Sequence, residues 1–239
     1  TAAILPVHVF GNPCNLEKLS EIGKKFKVPI IYDASHCFDI NFKNRSILSY
    51  GDISTISFHA TKLFHTAEGG AIFTNSDQYA KQIRSFINFG FKTPTTFLLA
   101  GTNAKTSEIS ACFGLSILDK VSKEISARKK VFEFYNKHLK EHVIFQKWNI
   151  SVNNKNYMYY PILLKSKTQR DNIHKILQDH KIFSRRYFYP SLNKVDYLSN
   201  SNFCKFSSNI ANRILCLPIH SGLKKNELKI ITNLIISNL

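Results

Sequence analysis

The N-terminal part of the chain alternates between short apolar runs and segments with helical spacing. Asn15 precedes apolar residues that recur every three or four positions, beginning with Leu16 and Leu19 and ending at Phe26, which predicts a capped amphipathic helix. A second helix is predicted over residues 76–86. Strands are predicted over four apolar runs: residues 2–9, 28–32, 52–58 and 70–74. This alternation of strand and helix is typical of a mostly parallel sheet covered by helices.

The pattern changes in the second half of the chain. Residues 88–106 read as a loop, and Ser107 begins a long helical stretch that runs to about Leu139. Beyond the polar segment 151–155, the predicted elements are a strand at 157–164, a helix at 169–179, a strand at 183–189, and helices at 202–215 and 225–236. We therefore expect a large α/β domain over residues 1–125, followed by a connecting helix and a smaller α+β domain over residues 126–239.

Composition places the chain among globular proteins. It has 239 residues, a mass of 27.4 kDa and 44% hydrophobic residues, which is enough for a sizeable core and too apolar for a disordered chain. The mean hydropathy is −0.17 and no apolar run reaches membrane-spanning length, so we expect no membrane partner. The five cysteines include no CxxC pair, which favours a reducing, cytoplasmic location over a disulfide framework.

The chain is strongly basic, with 33 Lys and Arg against 16 Asp and Glu, a formal net charge of +17. These charges are spread along the chain and lie mostly on predicted helix faces, such as residues 24–27 and 120–130. No recognition helix, zinc finger or basic block accompanies them, so we expect a solvated surface and no nucleic-acid partner. A basic rim would also attract an anionic substrate such as a nucleotide diphosphate.

Three polar side chains follow predicted strands in a way that indicates chemistry. Asp33 ends a buried strand, at the edge where open α/β sheets bind ligands. Lys62 lies in a loop between two predicted strands, where a lowered pKa would make its amine a nucleophile able to form a Schiff base. A buried Asp can keep a pyridine nitrogen protonated, as pyridoxal phosphate requires, and Ser57 can donate a hydrogen bond to a phosphate. Such residues also occur by chance in many α/β proteins, so the pattern alone leaves both readings open.

Metal binding is the alternative chemistry for this region, because His36, Cys37, His59 and His65 are close in sequence. None of their spacings is that of a structural zinc site, and we expect no metal.

Five segments carry a family resemblance: residues 7–13, 32–36, 50–62, 66–74 and 101–111. The most specific of them pair Ser-Phe-His-Ala-Thr-Lys with Glu-Gly-Gly. In order and separation these segments resemble the pyridoxal-phosphate-dependent sugar aminotransferases of the DegT/DnrJ/EryC1/StrS type. Residues 156–163 and 185–190 are similar to the branch that acts on dTDP-linked keto-6-deoxyhexoses. The resemblance implies an aspartate-aminotransferase-like (type I) large domain and a smaller C-terminal α+β domain.

The resemblance also implies roles for single residues. Lys62 would form the Schiff base with the cofactor and shuttle the proton, and Asp33 would pair with the pyridine nitrogen. His36 falls where the family usually has Gln, near the 3-hydroxyl of the ring, and retains a hydrogen-bonding group. Ser57 would bind the cofactor phosphate. Asn103 would reach the phosphate of the neighbouring subunit, which implies a homodimer with shared active sites.

Substrate contacts are implied more weakly. Lys105 stands where many members have Arg, which keeps the charge without bidentate geometry. Arg186 and Tyr187 are candidates to touch the sugar nucleotide. In similar dehydratases, His replaces the Schiff-base lysine, so the presence of Lys62 favours transamination over dehydration.

The implied function is transfer of an amino group from glutamate to a nucleotide-linked keto-6-deoxysugar, for cell-surface glycan such as the O-antigen of lipopolysaccharide. Two alternatives are a dehydratase of the same family and a catalytically silent member that binds cofactor or sugar nucleotide. The silent member gains weight because the chain opens inside a predicted strand with no initiator Met, and we expect the first part of the large domain to be missing. Which sugar, keto position and nucleotide are used stays open.

Overall fold

The computed structural model describes residues 1–149, 151–198 and 204–239. These form two compact units. Unit 1 contains Thr1–Ser122 and Asn149–Asn156, and unit 2 contains Lys123–Trp148 and Tyr157–Leu239. The polypeptide therefore leaves unit 1, contributes a segment to unit 2, and returns to unit 1 for residues 149–156.

Helices and strands are interspersed along the chain. The α-helices of the described residues are α1 (Leu16–Phe26), α2 (Asp77–Phe86), α3 (Glu108–Leu118), α4 (Val121–Leu139), α5 (Lys167–Asp179), α6 (Lys205–Arg213) and α7 (Lys225–Ile236). The strands are β1 (Ile31–Asp33), β2 (Asn41–Phe42), β3 (Arg45–Ser46), β4 (Ile53–Ser57), β5 (Gly70–Phe73), β6 (Phe91–Thr93), β7 (Thr96–Phe97), β8 (Ile144–Phe145), β9 (Tyr160–Leu163) and β10 (Ile214–Leu217). None of the helices in these ranges has the length and apolarity needed to cross a membrane.

The sheet of unit 1 has the strand order β1-β4-β5. β1 and β4 are parallel, so Asp33 and Ser57 end neighbouring strands at the same edge, as the sequence predicts. β5 returns antiparallel to β4, with Ser57 opposite Gly70. Two small hairpins, β2–β3 and β6–β7, complete the strands of this unit, and the second lies inside the region predicted to be a loop.

The predicted N-terminal strand over residues 2–9 is wrong as a continuous, buried element. Isolated parallel bridges at Ile4 and Val7 replace it. Pro6 lies between them and has no N–H to donate to the ladder, which interrupts the pairing. Leu5 is 64% exposed, because alternate side chains of this segment face away from the sheet.

The long predicted helix beginning at Ser107 is in fact two helices. α3 ends at Leu118 and α4 begins at Val121. The N–H of Lys120 donates to the carbonyl oxygen of Ile117 (3.0 Å), which closes a tight turn between them. Helical spacing on both sides of this turn concealed the break.

Unit 2 packs helices against an antiparallel sheet of order β10-β9-β8, consistent with an α+β unit. Its core joins the sheet to α4, α5 and α7, with Ile162, Leu177 and Leu215 completely buried. β10 is wholly buried, which explains its continuous apolar sequence.

Two predictions in this unit are wrong. The helix predicted over 202–215 is α6 followed by the strand β10; positions 202 and 203 lie outside the described residues. A short apolar run such as 214–217 suits a buried strand as well as a helix, and periodicity does not separate the two. The strand predicted over 183–189 is irregular apart from a bridge between Arg185 and Cys216. The aromatic residues there pack on one another and on neighbouring side chains instead of pairing with a strand.

Candidate active site

Asp33 is the last residue of β1, and His36 lies on the turn that follows the strand. One carboxylate oxygen of Asp33 accepts a hydrogen bond from the N–H of Ser35 (2.9 Å). Backbone bonds from Ala34 to Thr55 (2.8 Å) and from Cys37 to Ala34 (2.8 Å) hold the turn against β4. The turn therefore presents the Asp33 carboxylate at the carboxyl edge of the sheet.

Lys62 lies in the loop that joins β4 to β5. Two backbone hydrogen bonds close the base of this loop, from Phe58 to Gly69 (2.8 Å) and from Thr66 to Phe58 (2.9 Å). A Cβ at Gly70 would lie 2.7 Å from the carbonyl oxygen of Ile56, so any other residue there would push β5 away from β4. The Gly-Gly pair of the motif thus allows the close strand pairing that fixes the base of the loop.

The structure brings Lys62, Asp33 and His36 within electrostatic range of one another. Lys62 is half-buried, and this burial lowers the pKa of its amine, while the Asp33 carboxylate partly offsets the effect. A lowered pKa raises the fraction of neutral amine, which is the nucleophilic form. The arrangement therefore suits an amine that must attack a carbonyl and exchange protons.

His36 is buried and its ring is held by the backbone. Its Nδ1 accepts a hydrogen bond from the N–H of Phe10 (3.0 Å), and the two rings stack at 6.1 Å. Burial lowers the pKa of His36 to about 4, and the positive charge of Lys62 adds to this effect. The imidazole is therefore neutral at pH 7, and because Nδ1 is the acceptor, Nε2 carries the proton.

His8 is a residue of this region that the sequence reasoning missed. It is completely buried, it stacks on Tyr32 (4.6 Å), and its Nδ1 accepts from the N–H of Cys14 (3.1 Å). Its Nε2 has no hydrogen-bond partner among the residues that the structure describes. The signals available were the inward position of His8 in a strand-like segment and its place in the segment 7–13, which carries the family resemblance.

These two histidines are expected to make the protein sensitive to acid. Burial lowers the pKa of His8 to about 4, as it does for His36, against an ordinary value of 6.5. Below pH 6.5, the unfolded chain therefore binds more protons than the folded one. The free energy of unfolding decreases as the pH is lowered from about 6.5 to about 4. From pH 7 to 5, the free energy of unfolding should drop by about 2 kcal/mol for each histidine.

Urea unfolding at the two pH values checks this expectation. His8→Asn and His36→Gln should each remove about half of the combined drop. His220→Gln, at an exposed position, serves as the matched control and should keep all of it. An unchanged pH dependence in both buried variants would contradict the assignment.

The other predicted site residues, Ser57, Asn103 and Lys105, make local contacts that do not by themselves indicate a cofactor. The Ser57 hydroxyl oxygen accepts from the N–H of His59 (3.2 Å), which leaves its own hydrogen to donate. Asn103 and Lys105 are both exposed and contact each other, with Lys105 Nζ 2.6 Å from Asn103 Oδ1 and 4.1 Å from the centre of the Phe89 ring. The role of Asn103 toward a neighbouring subunit and the role of Lys105 in substrate binding both stay predictions.

The predicted substrate residues of unit 2 belong to a cationic and aromatic cluster. Arg186 lies 3.5 Å from Asp171 and 5.3 Å from the centre of the Tyr189 ring. Tyr187 packs edge-on against Tyr159 at 5.7 Å. A planar cation beside exposed aromatic rings suits a nucleotide, but substrate contact by Arg186 and Tyr187 stays a prediction.

Comparison with known proteins gives one consistent result. A dTDP-4-amino-4,6-dideoxy-D-glucose transaminase of Shigella dysenteriae is 38% identical over 98% of this chain and 66% of its own length. Two solved structures also match. DesI in the presence of its TDP-sugar product has a TM-score of 0.91 at 27% identity, over 99% of this chain and 62% of its own. A DegT DnrJ EryC1 StrS aminotransferase from Brucella abortus has a TM-score of 0.89 at 26% identity, over 98% and 63%.

The chain thus spans somewhat less than two thirds of the length of these relatives, while almost all of it is matched by them. The model of the DegT/DnrJ/EryC1/StrS aminotransferase family matches residues 1–235. The chain belongs to this family, whose aminotransferases depend on pyridoxal phosphate.

Proposed function

We propose that this chain is the greater part of a nucleotide-sugar aminotransferase that uses pyridoxal phosphate and acts on a dTDP-linked keto-6-deoxysugar. The observation that carries the proposal is the half-buried Lys62 amine, with its lowered pKa, within electrostatic range of Asp33 and His36. The named activity of the Shigella dysenteriae relative supports the substrate class.

The donor set fits pyridoxal phosphate. Asp33 offers a carboxylate to a pyridinium nitrogen, His36 offers a neutral N–H to an oxygen on the ring, and Ser57 offers a hydroxyl to the phosphate. Lys62 supplies the amine that attaches the cofactor. Each side chain can make the bond that the corresponding atom of the cofactor offers.

When bound, pyridoxal phosphate supplies an electrophilic carbonyl and a ring that accepts electrons released at the neighbouring carbon. Lys62 has two tasks in this scheme. Its neutral amine would hold the cofactor through the carbonyl carbon with loss of water, and its Nζ would carry protons from the amino donor to the cofactor and from the cofactor to the sugar carbon. Asp33 would hold its negative charge for the pyridine nitrogen, and the neutral His36 would donate a hydrogen bond to the cofactor.

Several finer features belong to the same proposal. Glutamate is the amino donor, the active enzyme is a cytoplasmic homodimer with shared sites, and the product enters O-antigen or a similar cell-surface glycan. The net charge of +17 favours encounter with an anionic nucleotide sugar. Lys62 in the Schiff-base position favours transamination over dehydration.

Reductive trapping tests the proposal. Borohydride should fix pyridoxal phosphate to Lys62, which peptide mass mapping detects as a phosphopyridoxyl group on that residue. In a separate sample, glutamate added before borohydride should remove the visible absorption band of the bound cofactor. Labelling of another lysine, or an unchanged pattern in Lys62→Ala, would overturn the assignment; labelling without a response to glutamate would identify a silent, cofactor-binding family member.

A further inference from the structure

Residues 151–156 form a clasp on unit 1, although residues of unit 2 lie both before and after them in the sequence. Three asparagine side chains of this clasp hydrogen-bond to backbone in the segment 36–44. Asn153 accepts from Asn44 (2.7 Å), and Asn154 accepts from Asn41 (2.6 Å). The clasp therefore fixes the chain just beyond the turn that carries the cofactor residues.

Asn156 makes the contact nearest to those residues. Its side-chain amide donates to the carbonyl oxygens of His36 and Phe38, at 2.9 Å each, and the residue is completely buried. Gly11 packs against the same point, because a Cβ there would lie 3.0 Å from the His36 carbonyl oxygen and 3.4 Å from Asn156 Oδ1. One side chain thus satisfies two carbonyls on either side of Cys37, of which that of His36 is buried.

The opposite end of His36 is also fixed. Its Nδ1 accepts from the Phe10 N–H, so the neutral ring carries its proton on Nε2. Rotation or tautomer exchange of the ring would break this bond. The hydrogen bond also requires that the His36 backbone stay at a fixed position relative to Phe10. The Asn156 amide holds that backbone by donating to the His36 carbonyl oxygen.

We propose that Asn156 is a positioning residue that holds His36 in the Nε2–H tautomer, as a fixed hydrogen-bond donor beside Lys62 and Asp33. The consequence for pyridoxal phosphate rests on the proposed function, whereas the effect on the His36 tautomer does not. A purely structural role would stabilise the clasp without affecting the imidazole, so the two roles are separable by experiment.

Asn156→Leu and Asn154→Leu are the matched pair of variants. Both remove side-chain hydrogen bonds to the same backbone segment, but only Asn156 contacts His36. In the purified protein, Asn156→Leu should weaken binding of pyridoxal phosphate about 10-fold or more, and Asn154→Leu less than about 2-fold. Asn156→Ser keeps one donor and should fall between; it carries the test if Asn156→Leu does not fold.

Two readouts report on His36 directly. The ¹⁵N chemical shifts of its imidazole should show one Nε2–H tautomer in the wild type and in Asn154→Leu, and mixed tautomers in Asn156→Leu. In a His36→Ala background, Asn156→Leu should weaken cofactor binding no further. Equal effects of the two leucine variants on affinity, an unchanged tautomer in Asn156→Leu, or additivity with His36→Ala would each overturn the proposal. A wild type that binds no pyridoxal phosphate would overturn the proposed function instead, and the tautomer measurement would still decide the role of Asn156.

Discussion

Replacement of Lys62 by alanine is expected to lower the rate of transamination by about 10³-fold or more, because one side chain supplies both the attaching amine and the proton carrier. Burial lowers the pKa of this amine, so less free energy is needed to produce its neutral form than for a fully exposed lysine. The fold should be unaffected, since the loop is closed by backbone bonds at Phe58, Thr66 and Gly69 rather than by the lysine side chain. Single-turnover kinetics with glutamate measure the effect on the first half-reaction.

Two controls make this result specific. Lys81→Ala removes an exposed lysine of α2 and should retain full activity. Added methylamine should restore part of the rate in Lys62→Ala, because a small amine can diffuse in and carry the proton. Retention of more than about a tenth of the wild-type rate without added amine would contradict the assigned role.

The strand-end residues could be predicted from the sequence because their positions depend on local pattern. Asp33 and Ser57 follow apolar runs that form β1 and β4, and parallel pairing brings the ends of both strands to one edge. Lys62 follows from the same logic, since it lies between two predicted strands and the Gly-Gly pair at the end of the loop allows those strands to pair closely. The local sequence pattern is enough to predict a functional residue when that residue directly adjoins the strand that positions it.

The supporting residues could not be predicted in this way. Asn156 contacts His36 across 120 positions of sequence, and it directly follows the polar stretch 151–155, which has no periodicity that would relate it to His36. The prediction of a strand over 183–189 is wrong for a related reason. Aromatic residues are enriched in strands because they suit a half-buried surface, and here other aromatic rings provide that surface. A long-range contact of side chain to backbone decides the place of Asn156, and ring packing decides the conformation of residues 183–189. The pattern of apolar positions along the chain encodes neither interaction.

Replacement of Asp33 by asparagine is expected to lower kcat by about 10² to 10³-fold, comparable with the loss of one preorganised electrostatic contact to a developing charge. The substitution is nearly isosteric. The asparagine amide oxygen can still accept the hydrogen bond from the Ser35 N–H, and the backbone bonds of Asp33 to Pro6 and His8 (3.0 Å each) do not involve the side chain. What disappears is the negative charge.

The loss of that charge has a second, independent consequence, because Asp33 raises the pKa of Lys62, His36 and His8 in the wild type. In Asp33→Asn, the pKa of Lys62 should fall further, and the limb of the pH–rate profile that follows Lys62 should move to lower pH. Asp33→Glu keeps the charge and should leave this limb nearly in place, even if its longer side chain lowers kcat. A reduced kcat in Asp33→Asn with an unmoved profile would mean that the carboxylate acts on the cofactor alone; an unchanged kcat would remove Asp33 from the active site altogether.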